Sequence, residues 1–105
     1  MDQLFKEFSQ DKKVLFIRFP EALSSEHVKE VKKAINRWME ANEKVLLFDL
    51  RGTQTIDEEP LDVLVNFLKL IHLNEKRVTS TRPDEKLYEK LSDRGLSQHF
   101  NFRNK

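Results

Sequence analysis

No cysteine occurs among the 105 residues. A disulfide framework and a thiolate site are therefore excluded, and packing alone must hold the fold, as suits a reducing compartment. Glycine is almost as scarce, with only Gly52 and Gly95 present. Neither a phosphate-cradling loop nor a dinucleotide fingerprint can be assembled from them, so nucleotide binding through such loops is excluded. Long apolar runs are missing too. The most apolar stretch is broken by Asp62, Asn66 and Lys69, and Met1-Asp2-Gln3-Leu4-Phe5-Lys6-Glu7 carries no basic leader ahead of an apolar segment. The expectation is a cytoplasmic chain without membrane insertion. An excess of one charge is also lacking, since 19 Lys/Arg face 18 Asp/Glu. Those charges are interleaved, so Lys29-Lys32-Lys33 and Arg103-Asn104-Lys105 read as solvated surface and no nucleic-acid partner is expected.

What is present suits one small folded unit. Hydrophobic residues make up 38% and charged residues 35%, with a net charge of +1 that gives no drive towards disorder. A chain of this length accommodates one domain, residues 1–105, whose folding buries roughly two thirds of the unfolded surface. No internal repeat, linker or low-complexity stretch marks a second one.

The patterning has an α/β order. Leu4 to Phe8 and Val14 to Phe19 are β-type runs separated by Ser9-Gln10-Asp11-Lys12, which predicts a hairpin. After Pro20, Ser24 or Ser25 can cap a helix running to about Asn42. Val28, Val31, Ile35, Trp38 and Met39 form its apolar stripe, and Lys29, Lys32, Lys33 and Arg37 its wet side. Lys44 to Leu50 is the continuous apolar run of a central strand, ended by Arg51-Gly52. A second helix starts between Asp57 and Pro60 and runs to about Leu73. Proline is tolerated there because first-turn amides have no helical partner. Residues 76–81 form a further strand, and Pro83-Asp84 starts a third helix with Leu87, Tyr88 and Leu91 on one side. Gly95 stands where a left-handed terminating residue is needed. Strand-helix-strand units of this length call for parallel pairing, so a four-stranded mixed sheet follows, an N-terminal hairpin plus parallel strands, packed with about three helices.

Signals for catalysis are thin. His27, His72 and His99 sit in no metal-ligand spacing, no serine has the flanks of a nucleophile elbow, and Asp57, Glu58 and Glu59 suit a solvated helix start. No cofactor and no metal are expected. The second helix is more informative. Leu61, Leu64, Val65, Leu68 and Ile71 share one face, and Val63, Phe67 and Leu70 widen the apolar arc past half the circumference. The surplus either packs on a neighbouring helix or forms an apolar interface at Val63, Phe67 and Leu70.

The run Val45-Leu46-Leu47-Phe48-Asp49-Leu50-Arg51-Gly52-Thr53-Gln54-Thr55-Ile56-Asp57-Glu58-Glu59-Pro60-Leu61 resembles the central stretch of the STAS family, the fold of bacterial anti-sigma-factor antagonists. Family members read there as an apolar strand, Asp-Leu-Ser-Gly, a short loop, Ile-Asp-Ser-Ser-Gly-Leu and a hydrophobic helix. Arg82-Pro83-Asp84 through Gly95-Leu96 and Phe100 resembles the family's last helix and its Gly-Leu-x-x-x-Phe ending. The resemblance implies a non-enzymatic interaction module. It also implies that the serine or threonine phosphorylated by a partner kinase is replaced by Glu58, the second hydroxyl by Glu59 and the glycine by Pro60. The implied partner-binding surface, a degenerate phosphosite, comprises Thr55, Asp57, Glu58, Glu59 and Pro60. A carboxylate carries one charge where a phosphate carries about −1.5 to −2, and both suit the positive end of a helix. The implied partner is a protein, either an anti-sigma factor or kinase or another STAS domain, and a homodimer stays open. A scaffold role, a transporter-associated subunit and a small-molecule or lipid-binding domain stand as alternatives. Thr53, Thr55, Thr79, Ser80 and Thr81 are the remaining hydroxyls that a kinase could use in these loops.

Overall fold

The N-terminal hairpin is set by its turn. Asp11 and Lys12 both hold left-handed backbone conformations, at φ 55° and 58°, and the Lys13 N–H donates to the Gln10 carbonyl at 3.0 Å. Positive φ at both central residues defines a type I′ turn, whose twist matches that of paired strands. In the computed structural model, which describes residues 3–96 and 101–103, this turn, followed by Lys13 as one extra loop residue, places Gln10 opposite Val14 and Phe8 opposite Phe16. Strands β1 (Lys6–Gln10) and β2 (Val14–Arg18) result. The first strand thus starts at Lys6 and not at Leu4, because the turn fixes the register and Phe5, 2% exposed, leads into the core.

The other elements follow as β3 (Ala22–Leu23), α1 (Val28–Glu40), β4 (Val45–Asp49), β5 (Thr55–Ile56), α2 (Glu58–Leu70), β6 (Arg77–Thr81), α3 (Glu85–Asp93) and β7 (Asn101–Arg103). The sheet order is β1-β2-β4-β6-β7, antiparallel between β1 and β2 and parallel elsewhere. This is the expected four-stranded mixed sheet, extended at one edge by the short β7. Strands β3 and β5 pair separately in parallel, Leu23 beside Ile56. Their two residues each are too few to show an alternation in the sequence. His99 and Phe100 lie outside the described residues.

Helix boundaries follow local chemistry. A 3-10 turn at Ser25–His27 precedes α1. The Ser24 N–H donates to His27 Nδ1 at 3.0 Å, so a histidine fills the reciprocal half of a capping arrangement usually made by Glu or Gln. After Leu70 the second helix tightens into a 3-10 turn, Ile71–Asn74. Asp84 caps α3 by accepting from the Leu87 N–H at 2.9 Å. Gly95, at φ +80°, supplies the left-handed residue beyond it.

Strand alternation decides where the helices go. Leu15 and Ile17 of β2, Leu46 and Phe48 of β4 and Val78 of β6 share one core with residues of all three helices, among them Trp38, Leu64 and Leu91. Leu47 is 4% exposed yet points to the opposite face and lies outside that core. All three helices therefore pack on one side of the sheet. Trp38, fully buried, is the hub: its ring centroid lies 5.2 Å from Phe5, 5.3 Å from Phe48 and 5.9 Å from Phe67. Edge and tilted contacts of this kind add roughly 0.5–1.5 kcal/mol each beyond burial.

One buried cation closes the end of α1. Lys76, 5% exposed, donates from Nζ to the carbonyls of Ala41 at 2.5 Å and Glu43 at 2.6 Å. Burial, with Lys44 nearby, pushes its pKa below the usual lysine value. The ammonium supplies donors that the last carbonyls of a helix lack and lies at the negative end of the helix dipole.

Candidate functional site

The first turn of α2 brings together the acidic run singled out in the sequence. Asp57 is the residue before the helix, with an extended backbone (φ −68°, ψ 163°). Its carboxylate would ordinarily accept from the amide two or three residues on. Pro60 occupies the third helical position and has no N–H to give. Asp57 Oδ2 instead accepts from the Ser25 N–H at 3.2 Å, which ties the start of α2 to the lead-in of α1. Pro60 itself is buried beneath the turn.

Glu58 does not project freely. Its carboxylate accepts from Arg94 at 2.5 Å and lies 3.4 Å from Lys90 Nζ, while Arg94 also pairs with Asp62. Lys90 Nζ donates in addition to the Ile56 carbonyl at 2.5 Å. Two cations from the last turns of α3 thus meet two carboxylates from the first turns of α2. Asp62, and Glu58 with it, hold the Arg94 guanidinium still further in its charged form. Glu58 is nonetheless 65% exposed, so each pair contributes no more than about 1 kcal/mol. Neighbouring Glu59 is exposed and has no ion pair or hydrogen bond among the described side chains. The site presents one latched carboxylate and one open carboxylate beside the positive end of a helix.

Thr55 is exposed immediately before this turn. Of the other hydroxyls, Thr53 is 1% exposed and donates to the Pro20 carbonyl at 2.8 Å, and Ser80 is fully buried and donates to the Thr81 carbonyl at 2.8 Å. Neither reaches solvent in this fold. The proposed apolar surface divides as well. Phe67, 5% exposed, packs against Trp38 and Phe48 and so leaves the interface for the core, because α1 lies over that side of α2. Val63 is partly buried against the same core. Leu70 is 54% exposed and is joined by Leu73 at 68%.

A second cluster was not singled out in the sequence. Asp49, at the end of β4, accepts from Arg51 Nε at 2.9 Å, Arg51 NH2 at 3.0 Å, the Arg51 backbone N–H at 3.2 Å and Arg18 Nε at 3.2 Å. The Arg51 hydrogen bonds, against the opposing effect of burial, hold its pKa at about 2. The signal was the period-two placement of Phe16 and Arg18 on β2, which puts both on the face away from the helices. Among the described residues no group of three His, Asp or Glu is placed to hold a metal, and no helix is long and apolar enough to cross a membrane.

This mixed sheet with helices on one side is an α/β domain of one sheet layer and one helix layer, with an interhelical charge cluster at the start of α2. The STAS domain profile matches residues 6–105, and the chain belongs to that family. Solved structures agree at the level of the fold. The anti-sigma factor antagonist SpoIIAA in its unphosphorylated form superposes with a TM-score of 0.77 at 11% identity, over 96% of this chain and 89% of that one. The Bacillus cell fate determinant SpoIIAA in its phosphorylated form gives 0.73 at 11% identity, over 96% and 92%. A putative anti-sigma factor antagonist from Thermotoga maritima, tm1081, gives 0.76 at 24% identity, over 96% and 86%. No curated protein sequence matches.

Proposed function

We propose that the chain is a non-enzymatic protein-interaction module of the anti-sigma-factor-antagonist type, which docks a protein partner through Thr55 to Leu61 without phosphorylation at Glu58. The observation that carries this reading is the charge at the start of α2. Where the family resemblance places a phosphorylatable hydroxyl, Glu58 carries a permanent carboxylate that Lys90 and Arg94 already answer from α3. Its charge is therefore built into the helix packing, and Glu59 and Thr55 are what a partner meets first.

The latch dictates the choice of variant. Glu58→Lys would set three cations together and disturb α3, whereas Glu59→Lys changes only an open side chain. Affinity capture from the source cell with wild-type and Glu59→Lys protein tests the surface. Loss of a captured protein at unchanged melting temperature supports the assignment, and an unchanged set of partners sinks it. Incubation with a co-captured kinase and labelled ATP tests the second element of the proposal. Label at any residue of the Thr55 to Leu61 segment would return this surface to phosphorylation control.

A second reading, association with another STAS domain or with a second copy, is favoured by exposed Leu70 and Leu73 at the end of α2. Sedimentation of wild-type and Leu70→Glu/Leu73→Glu protein distinguishes it. A wild-type monomer across the concentration range removes self-association.

A further inference from the structure

The helix-free face of the sheet carries a patch that the α2 surface does not explain. Phe8 on β1 faces Phe16 on β2, and their rings stack in parallel, with centroids 4.9 Å apart and planes within 3°. Phe8 is 56% exposed. An aromatic ring held open to solvent on a regular strand, beside a second ring, is a surface suited to another planar group. The two rings, with Arg18, Asp49 and Arg51, line a cleft of about 110 Å³. That is less than the closed cavity of about 150 Å³ that holds a whole benzene, so an incoming ring would lie partly in the cleft against Phe8 and partly in solvent.

The charges round this cleft say which kind of occupant fits. Register places Lys6 opposite Arg18 and Arg18 beside Asp49, so both cations stand on this face at the cleft, whereas Arg77, beside Val45, stands on the same face at the far end of the strands. Arg51, from the loop after β4, reaches back to join them. Asp49 is the one carboxylate among them, and its oxygens are already taken up by Arg18 and Arg51. Both arginines keep more than half of their side-chain surface in solvent, at 58% and 68%. Their remaining N–H groups are free to meet incoming carboxylates, and Asp49 holds both guanidiniums in place beside the rings. A patch with three cations, one neutralised carboxylate and an open aromatic cleft complements an acidic segment bearing a planar side chain.

We propose that this face is a second docking surface, occupied by an acidic peptide segment of a partner protein whose single aromatic side chain stacks on Phe8. It goes beyond the α2 reading and lies on the opposite side of the sheet from that helix. Carboxylates next to the aromatic residue pair with Arg18 and Arg51. A single-stranded nucleic acid would use the same aromatic and cationic chemistry, but it needs a basic field along its backbone. The whole chain carries a net charge of only +1, which favours the short acidic peptide.

The test is fluorescence anisotropy with a labelled Asp/Glu-rich peptide containing one Trp, the same peptide with Trp replaced by Ala, and a labelled oligothymidine. The Trp peptide should bind wild-type protein, at least about tenfold more tightly than the Ala peptide, with affinity falling as salt is raised. Phe8→Ser should weaken the Trp peptide by about tenfold; losing the ring pair with Phe16 lowers the melting temperature by roughly 4–8 °C, so binding is read well below it. Arg51→Ala should weaken both peptides, and Glu59→Lys, at the α2 surface, should change neither. Absent binding, equal binding of the two peptides, or indifference to Phe8→Ser overturns the proposal. So does tighter binding of oligothymidine, which would assign the face to nucleic acid, or a dimer in sedimentation that Phe8→Ser dissolves, which would assign it to a second copy.

Discussion

Replacing Asp49 by Asn keeps the shape of the side chain and removes its charge, and the consequence can be worked out from its surroundings. The carboxylate is 11% exposed and accepts three hydrogen bonds from Arg51 and one from Arg18. Its pKa is lowered from 3.8 to about 2 in the fold. Each unit is worth about 1.4 kcal/mol of preference for the charged form, so the native environment stabilises the carboxylate by about 2 kcal/mol relative to the unfolded chain. Arg18 and Arg51 are mostly in solvent, and screening makes that figure an upper value. The sign follows from proton binding. Below the unfolded value of 3.8 the unfolded chain takes up a proton that the native site refuses. The contribution is therefore complete above about pH 5, falls to about 1 kcal/mol at pH 3 and vanishes as pH drops through about 2.

Urea unfolding monitored by Trp38 fluorescence, on wild-type and Asp49→Asn protein at several pH values, reads this directly. The difference between the two proteins cancels the titration of the other carboxylates. It should be about 2 kcal/mol at pH 7 and shrink by about half at pH 3. A difference that stays constant with pH, or that never exceeds about 0.5 kcal/mol, refutes the argument that Arg51 and Arg18 stabilise a charge at this position.

Variants at three further places test other parts of the fold by urea unfolding, followed by far-ultraviolet circular dichroism because Trp38 is the only tryptophan. Lys76→Met leaves the Ala41 and Glu43 carbonyls without their charged donor, and should cost about 3 kcal/mol, with Lys29→Met on the wet side of α1 as a control near zero. Trp38→Ala should cost about 3–5 kcal/mol as the hub of the aromatic core. Trp38→Phe should cost much less, because it keeps a ring and removes an indole N–H that has no acceptor among the described residues. Asp11→Asn/Lys12→Gly should raise stability by about 1 kcal/mol, since both positions hold positive φ and Asn-Gly suits a type I′ turn. A loss of stability in that variant would show that the turn is held by something other than its backbone preference.

The order of elements was legible because it rests on periodicities that a chain carries locally. The Val28, Val31, Ile35, Trp38 stripe gave α1, and the run from Val45 to Leu50 gave β4 at the centre of the sheet. The Asp57 to Pro60 start of α2 was visible for a similar reason, since acids and proline at a helix start act through their own backbone. Strands β3 and β5 escaped because two residues cannot alternate. The boundary of β1 was misplaced because register belongs to the turn and partner strand, and is not a property of the segment.

Charge partners and faces were a different matter. In the sequence Glu58 and Glu59 are equivalent acids, yet packing of α3 against α2 latches one with Lys90 and Arg94 and leaves the other open. Phe67 and Leu70 belong to one apolar arc, yet the crossing of α1 sends the first into the core and leaves the second at the surface. The residues from Val45 to Pro60 determined by themselves the strand, the helix start and its run of fixed negative charge, and carried much of the family resemblance. Only the tertiary structure decided which of those charges is paired and which stays open, because pairing between residues over 30 positions apart depends on how helices cross and which face of a strand is covered.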